Sequence, residues 1–556
     1  MLQQLATGQE KGMLVVFEQQ ADFKGKKMLQ SKSEKGRFVY SELQKVASTV
    51  QANAQALITD SGQGFQSFIV VNSLYTEGGL ILAQSLASLP EVKWILSDVS
   101  IPMQMPDQSN FLSARVGELP YGLIMIGADK VWELGIRGQG VVVSGQDTGY
   151  DWEHPALINS YLGWNGTTAD HNYTWHDAIH EINLLHNDSI VAPENNPCGL
   201  NSLVPCDDNS HGTHTMGTMV GDDGIDHQIG VAPLARWIGV RNMERGFGMV
   251  STYLEAFNWL LAPTDLNGQN PDPSRAPHVV NNSWFCSGEE GCTLETNDLF
   301  AAVISNLKAA GIVVVVSAGN SGPSCETIAF SPALLEQSFT IGASNEVDSV
   351  SSFSSRGWVS ADSSFRMKPD VVAPGSAVLS SIPGGNYAHF WGTSMAGPHV
   401  AGLVALIISA NPALAGQVDV IEEIIRASAV PKLDTVGCSG ATGLEVPNPT
   451  YGYGRVDAYK AVQMALSLST EDAAIVNLPV VFPNPSRDEV WIDSPNAEII
   501  NGFDLYDALG KSVFKSIDGN LGTQLHISIR SLPEGIYYYR MSTPRTQYSG
   551  KLNVIQ

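Results

Sequence analysis

Four short apolar runs set the strongest limit on how this chain can fold: Val-Val-Val at 141–143, Trp-Ile-Gly-Val at 237–240, His-Val-Val at 278–280 and Ile-Val-Val-Val-Val at 312–316. The runs are continuous rather than alternating, so both faces of each strand must be covered, as in a parallel sheet with helices on either side. Segments with helical spacing separate them. The expected core is a doubly wound, mainly parallel α/β sheet. Folds of that kind hold ligands beyond the carboxyl ends of their strands, so the residues directly after each run are where chemistry is to be sought.

The chain has 556 residues, 43% of them apolar, enough for about three or four domains with large cores. It carries 31 basic against 56 acidic residues, a formal charge of −25, which argues against nucleic acid or an anionic membrane surface as partner. No uncharged apolar run is expected to span a membrane. The first residues, Met-Leu-Gln-Gln-Leu-Ala-Thr, lack the apolar core of a signal peptide, and the expectation is that a signal has been left out. Six cysteines lie between Cys198 and Cys438 without any Cys-x-x-Cys, which disfavours zinc and is consistent with an oxidising compartment. Cys198 with Cys206 and Cys286 with Cys292 read as loop staples. Cys325 would then pair with Cys438, although six cysteines allow fifteen connectivities.

Taken in order, residues 1–105 read as a small α+β domain of βαββαβ-like order, with strands at 13–17, 68–71 and 92–96 and helices at 36–56 and 78–89. A linker follows at 106–121, flanked by Pro102 and Pro106, that a protease could reach; a cut is expected between about 101 and 119. The α/β domain covers 122–468 and a second linker 469–477. Residues 478–556 change to short alternating strands with turn signals, an all-β sandwich domain.

The residues after the runs carry the chemistry. Asp147-Thr-Gly follows the first; alone, such an aspartate reads equally as a turn or cap. His211-Gly-Thr-His214 heads a small-residue helix. Two histidines at this spacing could ligate a metal, but the motif supplies no third ligand, and His214 reads as a packing residue. Asn320 follows the last run, where an asparagine is ordinarily a turn former and can instead donate to an oxyanion. Ser394 lies in the first turn of an apolar helix that Asn411-Pro412 stops, with Pro398 tolerated as an early helical position. A hydroxyl there sees free N–H groups and the positive end of the helix dipole, which suits a nucleophile as well as a plain cap.

Asp147-Thr-Gly, His211-Gly-Thr-His214, Ala318-Gly319-Asn320 and Gly-Thr-Ser394-Met-Ala, in that order over roughly 122–465, resemble the subtilase (subtilisin-like, S8) family of serine peptidases. The resemblance implies Ser394 as nucleophile, His211 as general base and then acid, Asp147 as the carboxylate that orients the imidazole, and Asn320 as oxyanion donor with the Ser394 N–H. It implies a substrate cleft with Ser283, Trp284 and Phe285 in one wall and Gly246, Phe247 and Gly248 in the other, with Ala318 and Gly319 beside them and peptide bound as an added strand. It requires no cofactor for the chemistry and implies structural calcium sites whose ligands it does not place on this sequence. Gln146 and Phe285 depart from the family, which usually has an apolar residue and a glycine there. The segment between Asp147 and His211 is longer than in compact subtilases and is expected to rim the cleft.

The N-terminal domain resembles subtilase propeptides by layout, implying a folding chaperone and temporary inhibitor. Val-Val-Phe-Pro-Asn-Pro from 480, Phe-Asp-Leu-Tyr-Asp-Ala-Leu-Gly from 503 and Leu-Pro-Glu-Gly-Ile-Tyr from 532 are similar to type IX secretion C-terminal sorting domains; the alternative is an adhesion or carbohydrate-binding sandwich. The expected protein is therefore a secreted or cell-surface serine endopeptidase, exported through the periplasm as a self-processing precursor. Its partners would be peptide substrates, its own propeptide and the secretion machinery. An inactive fold used as a surface binding module and an N-terminal-trimming peptidase are the alternatives.

Overall fold

The computed structural model describes residues 11–23, 31–98, 100–102, 107–108, 118–183, 196–286, 292–434, 437–438, 443–468, 480–482, 486–494, 499–507, 511–515, 521–544 and 547–554. Two compact units result, Met1–Ser467 and Leu468–Gln556.

The first unit opens with β1 (Lys11–Phe17), α1 (Lys32–Val50), α2 (Ala52–Asp60), β2 (Phe65–Phe68), β3 (Ser73–Gly78), α3 (Leu80–Ala87) and β4 (Val92–Ser97). The strands form an antiparallel sheet in the order β2-β3-β1-β4. Two expectations need correcting. The helix expected over 36–56 breaks at Gln51, whose side-chain amide donates to Asn72 Oδ1 and Ser73 O and so ties the break to the start of β3. The run at 68–71 ends β2 and turns. Its apolar character is explained by the neighbouring domain: Ile69 and Val70 donate backbone N–H bonds to Asn258 Oδ1, and Val70 O accepts from Asn306. Burial across that interface, not a strand ladder, is what the β-branched residues satisfy.

The end of the N-terminal segment supplies one short strand, β5 (Ser100–Pro102), and the linker another, β6 (Asp107–Gln108). Beyond α4 (Tyr121–Ile126) and α5 (Ala128–Glu133) comes the central sheet, built from β7 (Val142–Asp147), β8 (Trp175–Asp177), β9 (Arg236–Arg241), β12 (Val279–Asn282), β13 (Val313–Ser317), β14 (Phe339–Ser344) and β15 (Val371–Pro374). Its seven strands are all parallel, in the order β15-β14-β13-β12-β7-β9-β8. Strand β8 belongs to the insertion expected as a cleft rim; that segment also extends the sheet edge. A hairpin, β10 (Met243–Glu244) and β11 (Phe247–Met249), leads into α7 (Val250–Leu261).

Side-chain alternation sorts the helices onto the two faces. Val280, Val314 and Val316 join one core with residues of α7 and α8 (Leu294–Ala309). On the other face, beside α6 (His211–Val220), Gly397 of α9 (Thr393–Ala410) rests against Val315 and Asn281. Helix α9 holds no charged residue over its 18 positions and has a mean hydropathy of 1.5, enough by length and composition to cross a membrane. It is 89% buried inside the unit and serves as its central helix. A hairpin of β16 (Val378–Ile382) and β17 (Asn386–Trp391) precedes it, and α10 (Val418–Ser428) and α11 (Ala458–Ser467) follow. The cysteines pair as expected: Cys198–Cys206, Cys286–Cys292 and Cys325–Cys438.

The second unit is antiparallel β throughout, with sheets β18-β19-β22 and β21-β20-β23-β24 built from β18 (Val480–Phe482), β19 (Glu489–Asp493), β20 (Gly502–Tyr506), β21 (Ser512–Lys515), β22 (Gln524–Ser528), β23 (Gly535–Ser542) and β24 (Gln547–Val554). Val490, Ile492, Phe503, Leu505, Ile527, Tyr539, Met541 and Leu552 form its core. The Pro-Asn-Pro turn at 483–485 and the 469–477 linker lie outside the described residues.

Candidate active site

Asp147 is the last residue of β7 and is buried. Its Oδ1 accepts from the Thr148 N–H at 2.8 Å and contacts His211 Nδ1 at 2.7 Å. His211 opens α6 and is fully buried. A carboxylate only accepts, so in the neutral ring Nδ1 carries the proton and Nε2 the lone pair; Nε2 is buried with no hydrogen-bond partner among the described residues. Asp207 holds the ring's helix in place, accepting backbone N–H bonds from Asn209, Ser210 and Thr213 and the Thr213 hydroxyl. Thr148 links the two halves: its hydroxyl donates to Asp207 and accepts from the Gly212 N–H. Gly212 is required there, because a Cβ would collide with Gly149 O.

Ser394 is the second residue of α9, beyond Gly392. Its Oγ donates to Ser283 O at 3.3 Å, and its own carbonyl accepts from Ser283 Oγ at 3.0 Å. Pro398 explains the second bond and corrects the reason expected for that proline: it lies beyond the first turn, and having no N–H it leaves the carbonyl four residues back free for Ser283. Asn320 follows β13. Its Oδ1 accepts from the Thr393 N–H at 2.9 Å and from Thr393 Oγ1 at 3.0 Å, while Gly319 N–H donates to that hydroxyl. A backbone N–H can only donate, so the oxygen of Asn320 faces Thr393 and the amide N–H edge points the other way. Asp147 and His211 are thus joined directly, at the end of β7 and the start of α6, and Asn320 is tied through Thr393 to the start of α9, which carries Ser394 and packs against α6.

The cleft walls are less uniform. Ser283 touches Ser394, and Ala318 and Gly319 lie beside Asn320. Trp284 does not face the cleft: it is buried, stacked on Tyr253 with ring centroids 3.9 Å apart and packed on Phe300, because alternation after Asn282 sends its side chain to the α7–α8 face. Phe285 is half-buried and stacks on Phe330 at 5.5 Å. In the opposite wall Gly246 precedes β11, and Phe247 and Gly248 pair with Pro102 and Ile101 of β5. Gln146 is fully buried, joined to Asn282 and Asn242 through its side-chain amide. Its polarity, unexpected beside an aspartate in a buried strand, is met by a row of amides across neighbouring strands.

His214 is buried and neutral, its pKa pushed down to about 3 by burial. Its Nε2 reaches the carbonyls of Val378 and Ala388, and its ring stacks on Phe390 at 4.2 Å, which makes it a clamp between α6 and the β16–β17 hairpin. Sequence reasoning missed Asp207, Thr148 and Thr393. For Asp207 a signal existed, an aspartate just ahead of a helix start; Thr393 shows only once β13 and α9 are side by side.

Residues 138–454 match the profile of the subtilase family, and residues 480–555 match that of the secretion system C-terminal sorting domain. Bacillopeptidase F of Bacillus subtilis (strain 168) is 35% identical over 462 residues, covering 79% of this chain and 29% of that protein. Subtilisin of Bacillus pumilus is 31% identical over 296 residues, 53% of this chain and 86% of that protein. Subtilisin E of Bacillus subtilis (strain 168) is 31% identical over 296 residues, 53% of this chain and 62% of that protein. The chain thus spans less than a third of one of these relatives and most of another. With a complete set of motifs at the ends of a seven-stranded parallel sheet and this match over the whole of that sheet, the chain belongs to the subtilase family and carries a secretion-system sorting domain at 480–555.

Proposed function

We propose that this protein is a secreted serine endopeptidase made as a self-processing precursor. The reading rests on the buried imidazole whose Nδ1 is fixed on Asp147 and whose Nε2 is unpartnered among the described residues, on a helix packed against the one whose second residue is Ser394. Ser394 Oγ turns from Ser283 O, gives its proton to His211 Nε2 and attacks the peptide carbonyl carbon, while Asp147 holds the ring and stabilises the imidazolium. The oxyanion takes the Asn320 amide N–H and the Ser394 N–H. The imidazolium then protonates the leaving amine, and water activated by the same ring releases the acyl group as a carboxylic acid. Side chains and backbone amides supply every group these steps use.

The linker supports the precursor reading and the preference for internal bonds. Strand β5 lies antiparallel on β11, and β6 antiparallel on β17, which leads into α9. The chain on the two sides of the expected cut thus pairs as an added strand, before it with β11 and after it with β17. A cleft that accommodates chain on both sides favours an endopeptidase over an N-terminal-trimming enzyme. On this reading residues 1–105 are the inhibitor, and the cut falls between Pro102 and Asp107. The sorting-domain match supports export through the periplasm to the surface or medium by a type IX system.

Ser394→Ala should abolish both hydrolysis of N-blocked peptides and covalent labelling by a fluorophosphonate, with an unchanged circular dichroism spectrum and an uncut linker. Undiminished labelling of the variant would overturn the assignment, and an inactive but fully folded wild-type protein would favour the binding-module alternative.

A further inference from the structure

Helix α1 begins against the usual electrostatic rule. Ser31 and Glu34 form a capping box, yet Lys32 and Lys35 also lie in the first turns, where cations oppose the helix dipole. Both reach out of the N-terminal domain. Lys32 Nζ donates to Ala276 O at 2.6 Å, and Lys35 Nζ to Gly416 O at 2.7 Å and Gln417 Oε1 at 3.3 Å. The contact is close on both sides: Gly416 has φ +84°, and a Cβ there would lie 2.9 to 3.2 Å from Lys32 Cα, Cβ and N. Ala276 and Gly311 precede β12 and β13, so this seat is at the opposite end of the sheet from Ser394, roughly 15 Å away along a five-residue strand.

Lys32 is only 9% exposed, and no carboxylate lies within ion-pair distance of it among the described residues. A buried ammonium with one carbonyl acceptor is costly. Its charged neighbours give no relief. His278, ahead of β12, has its pKa pushed down to about 3 by burial and then by Lys32, and so stays neutral. Lys35 is a like charge; Asp419 of α10 acts on Lys35, and Lys308 and Glu422 are engaged with each other. Arg275 is paired with Asp272. Elsewhere the interface is well satisfied, with Leu14, Val16, Val39, Leu43 and Val70 in one core with α7 and α8 and with hydrogen bonds joining Asn258, Asn306 and Ser251 to the N-terminal domain, and would by itself hold the domain tightly.

We propose that Lys32 is a release catch: an uncompensated buried amine that weakens the grip of the N-terminal domain so that, once the linker is cut, the domain leaves the catalytic unit and frees the cleft. The proposal rests on the reading of residues 1–105 as a cleaved inhibitor. Burial lowers the amine's pKa to about 7 in the assembled chain, against 10.5 when free. Below pH 7 the full cost of burying the charge applies. Between pH 7 and 10.5 the free domain holds more protons than the attached one, so the attachment tightens as pH rises through that window. Asp98, raised to about 6 by burial, titrates below that window.

The test follows the cut protein by size-exclusion chromatography and by the lag before peptide hydrolysis. Wild-type release is expected to be at least about tenfold faster at pH 7 than at pH 9.5. Lys32→Met keeps the stem and removes the amine; it should slow release at pH 7 by about tenfold and abolish the difference between the two pH values. Lys32→Arg should release fast at both. Equal release and equal pH dependence of wild type and Lys32→Met would overturn the proposal. If the wild-type linker is not cut at all, the inhibitor reading has failed instead. The catch then stands or falls on whether Lys32→Met raises the melting temperature of the Ser394→Ala chain at pH 7 more than at pH 9.5.

Discussion

On the proposed mechanism, Asn320 is the residue where geometry most directly sets a rate. Thr393 grips its oxygen from two sides, so the amide N–H edge is pre-set and needs no reorganisation when charge develops. Replacing it with alanine removes a donor that matters mainly once the oxyanion exists. Asn320→Ala should therefore lower kcat while KM changes little, by the roughly 10²–10³-fold that a subtilisin loses with its oxyanion asparagine. Steady-state kinetics on one peptide decides it, and an equal loss carried by KM would mean that the amide binds the ground state. The four candidate residues were legible in the sequence as ordered motifs, Asp147 and Asn320 shortly after apolar runs and His211 and Ser394 at the starts of small-residue helices. Trp284 was not, because the sequence places it in a cleft wall while side-chain alternation turns its ring into the core. Nor was the role of Pro398, since the carbonyl it leaves free acquires meaning only from Ser283, on a different strand.

Among the elements, α6 carries His211, the base on the proposed mechanism, and is held from two directions, by Asp207 at its start and by His214 one turn on. The buried His214 stays neutral until about pH 3, whereas in the unfolded chain it takes a proton near pH 6.5. A group with a depressed histidine pKa favours the fold above 6.5 and loses that contribution as pH falls toward 3. His214→Gln keeps an N–H for Val378 O and cannot charge. In a Ser394→Ala background, the fall in melting temperature between pH 7 and pH 5 should be smaller for His214→Gln than for His214; an equal fall would mean that the ring is protonated in the fold. The parallel strands were readable from their continuous β-branched composition, because burial on both faces leaves no other pattern. The same composition misled at 69–71, where apolar residues are buried by a neighbouring domain instead of a ladder. Composition reports burial and does not say against what.

At the scale of the whole molecule the chain divides after Ser467, and the two parts are built on unrelated plans, an α/β sheet and an antiparallel β sandwich with its own apolar core. A unit that buries its own hydrophobic residues can be removed without opening the other's core. Deleting residues 478–556 should therefore leave kcat/KM and the thermal unfolding of the remaining protein nearly unchanged, and export is what should fail. In a host with a type IX system the truncated protein should accumulate in the periplasm, detected by fractionation and labelling with a fluorophosphonate. Residues 478–556 fused to an inert periplasmic reporter should carry it to the surface or medium, because the match to the sorting domain spans 480–555 and little of the catalytic unit would be needed. If instead the truncated protein were secreted normally and lost adhesion to cells or polysaccharide, the sandwich would be a binding module and the route of export would have to be encoded elsewhere in the chain.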